Sequence, residues 1–359
     1  MARCVRKVAS SSRRANTAPL RHSPRGYRRV MEKRVAMSED LPALELTKLR
    51  DLDLYDSPDD GMPPHVASAS GVVRRGDFVY VIGDDLLQVA VFQVAGGEPG
   101  TLRRVFAGDL PDDRKQRNKE KPDLEGLTAL PPVEGEPAGG LLGLGSGSSP
   151  HRDRGFFWSF AADGSLAGQP RAIDLHPAYN AVRRELDDRV NIEGAAVVAN
   201  HLWLFHRANE SQGPNAIAEV DLTDLSTMLA EDLVLDADEL RSLRTYDLGK
   251  LDGVPACFSD ATTLLNDLVC FTASAEGAGD IRGSVVGTID ASGAVHRLRR
   301  IDPQWKVEGV HAAVDTGVID FLFVCDQDEP STPSPLLSAT MPIDPKFDRR
   351  ESKAAGASR

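Results

Sequence analysis

Residues 191–205 read Asn191-Ile192-Glu193-Gly194-Ala195-Ala196-Val197-Val198-Ala199-Asn200-His201-Leu202-Trp203-Leu204-Phe205. An acid and a glycine open an apolar run, a short turn follows, and a second apolar run leads away. Neither run is long enough for a helix, and β-branched and aromatic residues dominate both, which is the signature of paired strands. The plan continues through Ala216-Ile217-Ala218-Glu219-Val220 and Arg244-Thr245-Tyr246-Asp247-Leu248, so the unit has four strands.

The same plan recurs four more times. One unit opens at Ser70-Gly71-Val72-Val73 and runs to Leu102–Phe106. The next opens at Asp123-Leu124-Glu125-Gly126-Leu127 and runs to Arg171–Leu175. Another opens at Phe258-Ser259-Asp260-Ala261 and runs to Val295–Leu298. The last opens at Lys306-Val307-Glu308-Gly309-Val310 and stops at Leu336–Ala339, one strand short. Leu46–Leu52, ahead of the first unit, supplies the missing strand. The expected fold is therefore all-β: a single β-propeller of five blades, with six as the alternative, whose last blade is closed by the N-terminal strand. Closure removes an unpaired edge. The openings at 70, 125, 193, 259 and 308 lie 55, 68, 66 and 49 residues apart, longer than the ~40–45 of WD40 repeats and bracketing the ~50 of kelch repeats. A βαβ fold needs helices between most strands, and only 224–243 has helical spacing, read as an insertion in the third unit.

The chain of 359 residues carries a net charge of −12, unevenly spread. Residues 1–36 hold eleven Lys and Arg against Glu32 alone, a net +10 that leaves the rest at −22. So acidic a body repels nucleic acid and anionic lipid, and neither is expected as its partner. The boundaries expected are a disordered basic extension at 1–40, the propeller at 41–345 and a disordered tail at 346–359. The basic extension has the composition of a transit peptide or a nucleic-acid arm, or of a solvated segment upstream of a start at Met31 or Met37. No run of 18 apolar residues exists to span a membrane. Cys4, Cys257, Cys270 and Cys325 form no CxxC pair, pointing to free thiols in a reducing compartment. A cytoplasmic monomer is the expectation.

In a propeller the innermost strands line a central channel, so equivalent positions on them converge on one axis. Those positions are Ser70, Glu125, Glu193, Ser259 and Glu308. Three carboxylates meeting in a partly desolvated channel repel one another unless a cation lies among them. Oxygen donors alone suit Ca²⁺ better than Zn²⁺. The glycine after each Glu allows close backbone approach at the crowded axis. The competing reading makes each Glu-Gly a strand-entry turn whose carboxylate is bonded to backbone amides or to Arg.

The order Ser, Glu, Glu, Ser, Glu resembles the ligand ring of the calcium-activated nucleotidases, or apyrases, which implies five blades and a central calcium. Val81-Ile82-Gly83-Asp84-Asp85 and Ile192–Ala195 followed by Leu202–Arg207 are similar to that family's neighbouring segments. Lys121–Gly126, Gly145-Ser146-Gly147-Ser148 and Asn191–Gly194 resemble more closely an uncharacterised bacterial propeller family akin to phytase-like and SdiA-regulated propellers. That likeness spans roughly 45–342 and implies a fold without an activity.

Further candidates stand near the expected mouth. Gly143–Ser148 is glycine-rich but leads into a strand, so it is no phosphate-binding fingerprint; its amides, with His151, Arg152 and Arg154, suit a small anionic or phosphorylated ligand. Arg207 suits a bidentate phosphate clamp, or pairs with Glu125 or Asp85. Asp84, Asp85, Asp326 and Asp328 end second strands, and Lys121 precedes Glu125. Arg207, Arg152 and Asp85 are the candidate catalytic groups. Two functions follow: a non-catalytic binding scaffold with a central Ca²⁺, or a Ca²⁺-dependent hydrolase of phosphate anhydrides or phosphoesters.

Overall fold

The computed structural model describes residues 28–35 and 41–347, except 188, 209–212, 232, 237–239, 266, 278–279 and 328. Strand β1 is Arg28–Arg34 and β2 is Thr47–Asp51. Blade 1 comprises β3 Ala69–Arg75, β4 Phe78–Gly83, β5 Gln88–Gln93 and β6 Thr101–Arg104. Blade 2 comprises β7 Leu124–Leu130, β8 Gly140–Gly145, β9 Arg154–Ser159 and β10 Arg171–Asp174. Blade 3 comprises β11 Ile192–Val198, β12 His201–His206, β13 Asn215–Asp221 and β14 Ser242–Asp247. A two-stranded ribbon, β15 Lys250–Leu251 and β16 Val254–Pro255, precedes blade 4. That blade comprises β17 Cys257–Leu265, β18 Leu268–Gly277, β19 Asp280–Asp290 and β20 Val295–Arg300. Blade 5 comprises β21 Val307–Asp315, β22 Val318–Cys325 and β23 Pro335–Pro342.

Each blade is an antiparallel meander, and β2 completes blade 5 by pairing antiparallel with β23, Thr47 opposite Ser338 and Asp51 opposite Pro335. Five is thus the blade count. The inner strands β3, β7, β11, β17 and β21 pack in a ring. Because each blade is covered on both faces by its neighbours, its strands are apolar at successive positions instead of alternating; every residue of β8 and β11 is buried. The core divides into five apolar clusters, one per seam. The cluster between blades 2 and 3 centres on Phe157, Tyr179 and Leu204, and that between blades 3 and 4 on Phe205, Phe258 and Phe271.

Among the described residues three α-helices decorate the ring. Helix α1, Arg114–Glu120, starts at Asp113, whose carboxylate accepts from Gln116 N at 2.9 Å. Helix α2, His176–Glu185, buries Ala178, Tyr179, Ala181 and Val182 beneath the seam of blades 2 and 3. Helix α3, Leu225–Ala230, lies within the 224–243 stretch. The first two are departures from the sequence reading; they span at most three turns, too few for a decisive periodicity.

The N-terminal extension departs as well. Residues 28–34 are ordered into β1, which pairs parallel with β14 as a fifth strand on blade 3, Arg28 opposite Ser242 and Arg34 opposite Asp247. The rest of that extension, with Cys4, lies outside the described residues. At the other end the fold continues past 345, with Phe347 buried against the blade 4–5 seam, and 348–359 lie outside the described residues. Cys257, Cys270 and Cys325 are free. Among the described residues no helix is long and apolar enough to cross a membrane.

Candidate functional site

All five inner strands carry the same irregularity near their start. The pairing skips one residue between Ala69 and Gly71, Leu124 and Gly126, Ile192 and Gly194, Phe258 and Asp260, and Val307 and Gly309. The skipped residues are Ser70, Glu125, Glu193, Ser259 and Glu308. Such a bulge leaves one residue outside the ladder and re-aims its side chain. Repeated five times, it sets these residues at equivalent places around one end of the channel.

The residue after each bulge explains the glycines. A Cβ on Gly194 would stand 2.5 Å from Ala261 N and 2.7 Å from Asp260 Cα; one on Gly309 would meet Ser70 O at 2.9 Å. The inner strands of blades 3 and 5 therefore press their bulges against the next blade's backbone, whereas a Cβ on Gly126 would meet blade 3 only at an ordinary 3.6 Å. In blade 4 the glycine is replaced by Asp260, fully buried, whose carboxylate accepts from Ala261 N and from Val310 N, both at 2.7 Å. Blade 4 is thereby clasped to blade 5.

Four of the five bulge residues, Ser70, Glu125, Glu193 and Glu308, line a cavity of about 1070 Å³ at the channel mouth. Ser259 does not; its hydroxyl is buried and donates to Thr272 Oγ1 at 3.0 Å and Val307 O at 3.3 Å. The cavity reaches outward over blades 3 and 4 to the β15–β16 ribbon, where Val254, Pro255 and Ala256 make an apolar wall.

Fivefold register also identifies two more tiers. Two residues before each bulge come Ser68, Asp123, Asn191, Cys257 and Lys306; just past the ends of β4, β8, β12 and β22 come Asp84, Ser146, Arg207 and Asp326, with Ser274, opposite Cys257 within β18, at the equivalent place. These tiers supply the counter-charges. Arg207 lies between Glu193 and Glu308, 3.4 and 3.3 Å away, and reaches Glu276 at 2.9 Å. Lys306 stands 3.6 Å from Glu308 and 3.5 Å from Asp326. Lys121 pairs with Asp84 and, at 3.0 Å, with Asp123. The mouth is a mesh of acids and cations in which Glu193 and Glu308 are bonded to an arginine, as the strand-entry reading required, though the partner of Arg207 is neither Glu125 nor Asp85.

Glu125 stands apart. Its carboxylate has no hydrogen bond or ion pair among the described residues, and its ligand oxygen lies within 4.8 Å of those of Asp84 and Asp123. Burial, then the charges of Glu193, Asp123 and Asp84, raise its pKa well above the carboxylate range. Burial likewise lifts Glu193 to about 7. Asp123 holds a left-handed backbone, φ 56°, which Asp tolerates better than most residues.

The other candidates have structural ties. Arg152 binds Asp123 and Ser148 Oγ, both at 2.7 Å, and Asp85 accepts from Ser68 Oγ and, at 3.3 Å, from Arg117 Nε. In the glycine-rich turn Ser146 N donates to Asp123 O and Ser148 N to Ser146 Oγ, so neither amide is spare for an anion. His151 sits in a single 3₁₀ turn with Ser149. Asp328 lies outside the described residues. Asp123, Lys306 and Glu276 were not singled out from the sequence. The first two were within reach, because aligning the five units on their bulge residues sets both at the same offset.

No curated protein matches. Among solved structures, a catalytic domain of a GH62 α-L-arabinofuranosidase from Coprinopsis cinerea aligns at TM-score 0.47 and 10% identity, over 84% of this chain and 98% of that one. A hypothetical protein from Leishmania major aligns at TM-score 0.42 and 11% identity, over 83% and 92%. Likenesses this distant carry nothing about chemistry. Residues 65–341, all of the propeller after the closing strand, match the profile of DUF6929, a family of unknown function, and the chain belongs to that family.

Proposed function

We propose that this propeller is a ligand-binding scaffold whose channel mouth holds one hard divalent cation, Ca²⁺ by donor type. Glu125 is its principal ligand, Asp84 and Asp123 stand beside it, and Glu193, Glu308 and Ser70 lie further round the ring. The observation that carries the reading is the Glu125 carboxylate, which opens on the cavity with three acids near it and, among the described residues, no hydrogen bond or ion pair of its own. An oxygen-only donor set favours Ca²⁺ over softer ions. Lys121, bonded to Asp84 and Asp123, is the internal competitor that the ion displaces. A hydrolase acting on phosphate anhydrides or phosphoesters is the weaker reading. Arg207, Arg152 and Lys121 are each bonded to carboxylates already, so an anionic substrate would depend on the metal for its attraction.

The test is a thermal melt of chelator-treated protein with added Ca²⁺, Mg²⁺ or Mn²⁺. Ca²⁺ at a hundred times its dissociation constant stabilises the fold by about 2.7 kcal/mol, and Glu125→Gln abolishes the response while leaving the metal-free melt close to wild type. No response to any of the three ions, or an equal response in Glu125→Gln, overturns the reading.

A further inference from the structure

A second cavity, of about 960 Å³, lies away from the acidic mouth, at the seam where the ring closes. Arg74 stands four residues beyond Ser70 on β3, and His311 three residues beyond Glu308 on β21. Both lie towards the far ends of those strands, and both line it. The closing segment contributes residues from Pro42 to Leu49, blade 1 contributes Val94, and β20 contributes Arg299.

Three features of this cavity are unexplained by the fold. In a chain of net −12, it gathers two guanidiniums without a carboxylate partner among the described residues. Arg74 donates only to Gly76 O at 3.3 Å, and Arg299 to Pro42 O at 2.7 Å and Ala43 O at 3.4 Å. Glu45 and Asp320 also line the cavity but are exposed and pair with neither arginine. His311 has an Nδ1 sealed from solvent with no hydrogen-bond partner, and an orphaned buried polar atom of that kind is costly to retain. The rim carries Leu49, 53% exposed, and Val94, 40% exposed, two of only four large apolar side chains so exposed among the described residues.

We infer that this closing-seam cavity binds an amphipathic monocarboxylate. The carboxylate is held by Arg74 and Arg299 beside His311, and the alkyl chain lies against Leu49, Val94 and the apolar wall of blade 5. Guanidinium suits a carboxylate through paired N–H donors, and the volume falls within the roughly 300–1,000 Å³ of small-molecule sites. Since the closing segment forms part of the wall, the ligand ties the two ends of the propeller together. It stabilises the folded ring by mass action. The site is independent of the cation at the mouth.

The experiment is calorimetric titration of the full chain with octanoate in the presence of chelator. Octanol and octylammonium serve as neutral and cationic controls, and Arg74→Gln as the variant; Arg74 is exposed and makes no ion pair, so its loss leaves the fold intact. Octanoate is expected to bind at one saturable site and to raise the melting temperature. Its affinity should fall about tenfold or more in Arg74→Gln, the loss of one charge-assisted contact, and stay unchanged in Glu125→Gln. The proposal is overturned by absence of saturable binding, by octanol or octylammonium binding as well as octanoate, by an unaltered affinity in Arg74→Gln, or by loss of binding in Glu125→Gln.

Discussion

Gly126 and Gly194 follow equivalent glutamates, and replacing each with alanine separates axial closure from mere turn preference. Neither has a positive φ, so alanine meets no backbone strain at either position. The difference is space. A Cβ at 126 meets Leu144 Cβ at 3.4 Å and the Gly194 carbonyl carbon at 3.6 Å, ordinary contact distances. At 194 it falls 2.5 Å from Ala261 N and 2.7 Å from Asp260 Cα, backbone atoms that no rotamer change can move aside. Restoring normal separation requires blade 4 to recede by roughly 1 Å at the residue that clasps blade 5, and overpacking of this kind costs about 1–3 kcal/mol. Gly194→Ala should therefore lose about 2–3 kcal/mol, a fall of roughly 3–5 °C in melting temperature for a chain of this size. Gly126→Ala should stay within about 0.5 kcal/mol or gain slightly by restricting the unfolded chain. Urea unfolding followed by the fluorescence of buried Trp203 measures both. If the two variants share a midpoint, the inner strands do not close on one another as described and the axial argument collapses.

Two further outcomes are expected. Asp260→Ala strips the acceptors from Ala261 N and Val310 N and leaves two buried amides unpaired, at about 1–3 kcal/mol each. Its urea midpoint should drop well below that of Asp260→Asn, which keeps one acceptor oxygen, and equal midpoints would dispose of the clasp. Burial, aided by the charge of Arg74, pushes His311 down to about 4, against about 6.5 in the unfolded chain. Between those values only the unfolded state takes up the proton. This group's contribution is then complete above pH ~6.5 and disappears as pH falls towards ~4, by up to about 3 kcal/mol. Stability of wild type should fall more steeply over that window than stability of His311→Gln; parallel profiles would contradict it.

How much was legible varies with the range of the interaction that decides it. Strand positions such as Phe78–Ile82 and Leu202–Phe205 are recorded locally, since a blade covered on both faces must be apolar throughout. Closure by Leu46–Leu52 follows from counting strands. The ordered β1 escaped notice because its sequence is charged and the strand it pairs with, β14, lies more than 200 residues away. Helix α2 escaped because a ten-residue segment repeats its apolar face too few times to establish a helical period.

By itself the chain's sequence determined the repeat, the five openings and the equivalence of Ser70, Glu125, Glu193, Ser259 and Glu308, because repetition and apolar pattern are properties of the letters. Which of those five face a common cavity, and which are already neutralised, was decided only in three dimensions. Arg207 meets Glu193 and Glu308 from just past the end of β12, Ser259 turns its hydroxyl to Val307 O, and Glu125 is left without a hydrogen bond or ion pair among the described residues. Charge pairing acts over a few ångströms of space, and residues as far apart as 207 and 308 become neighbours only when the ring closes.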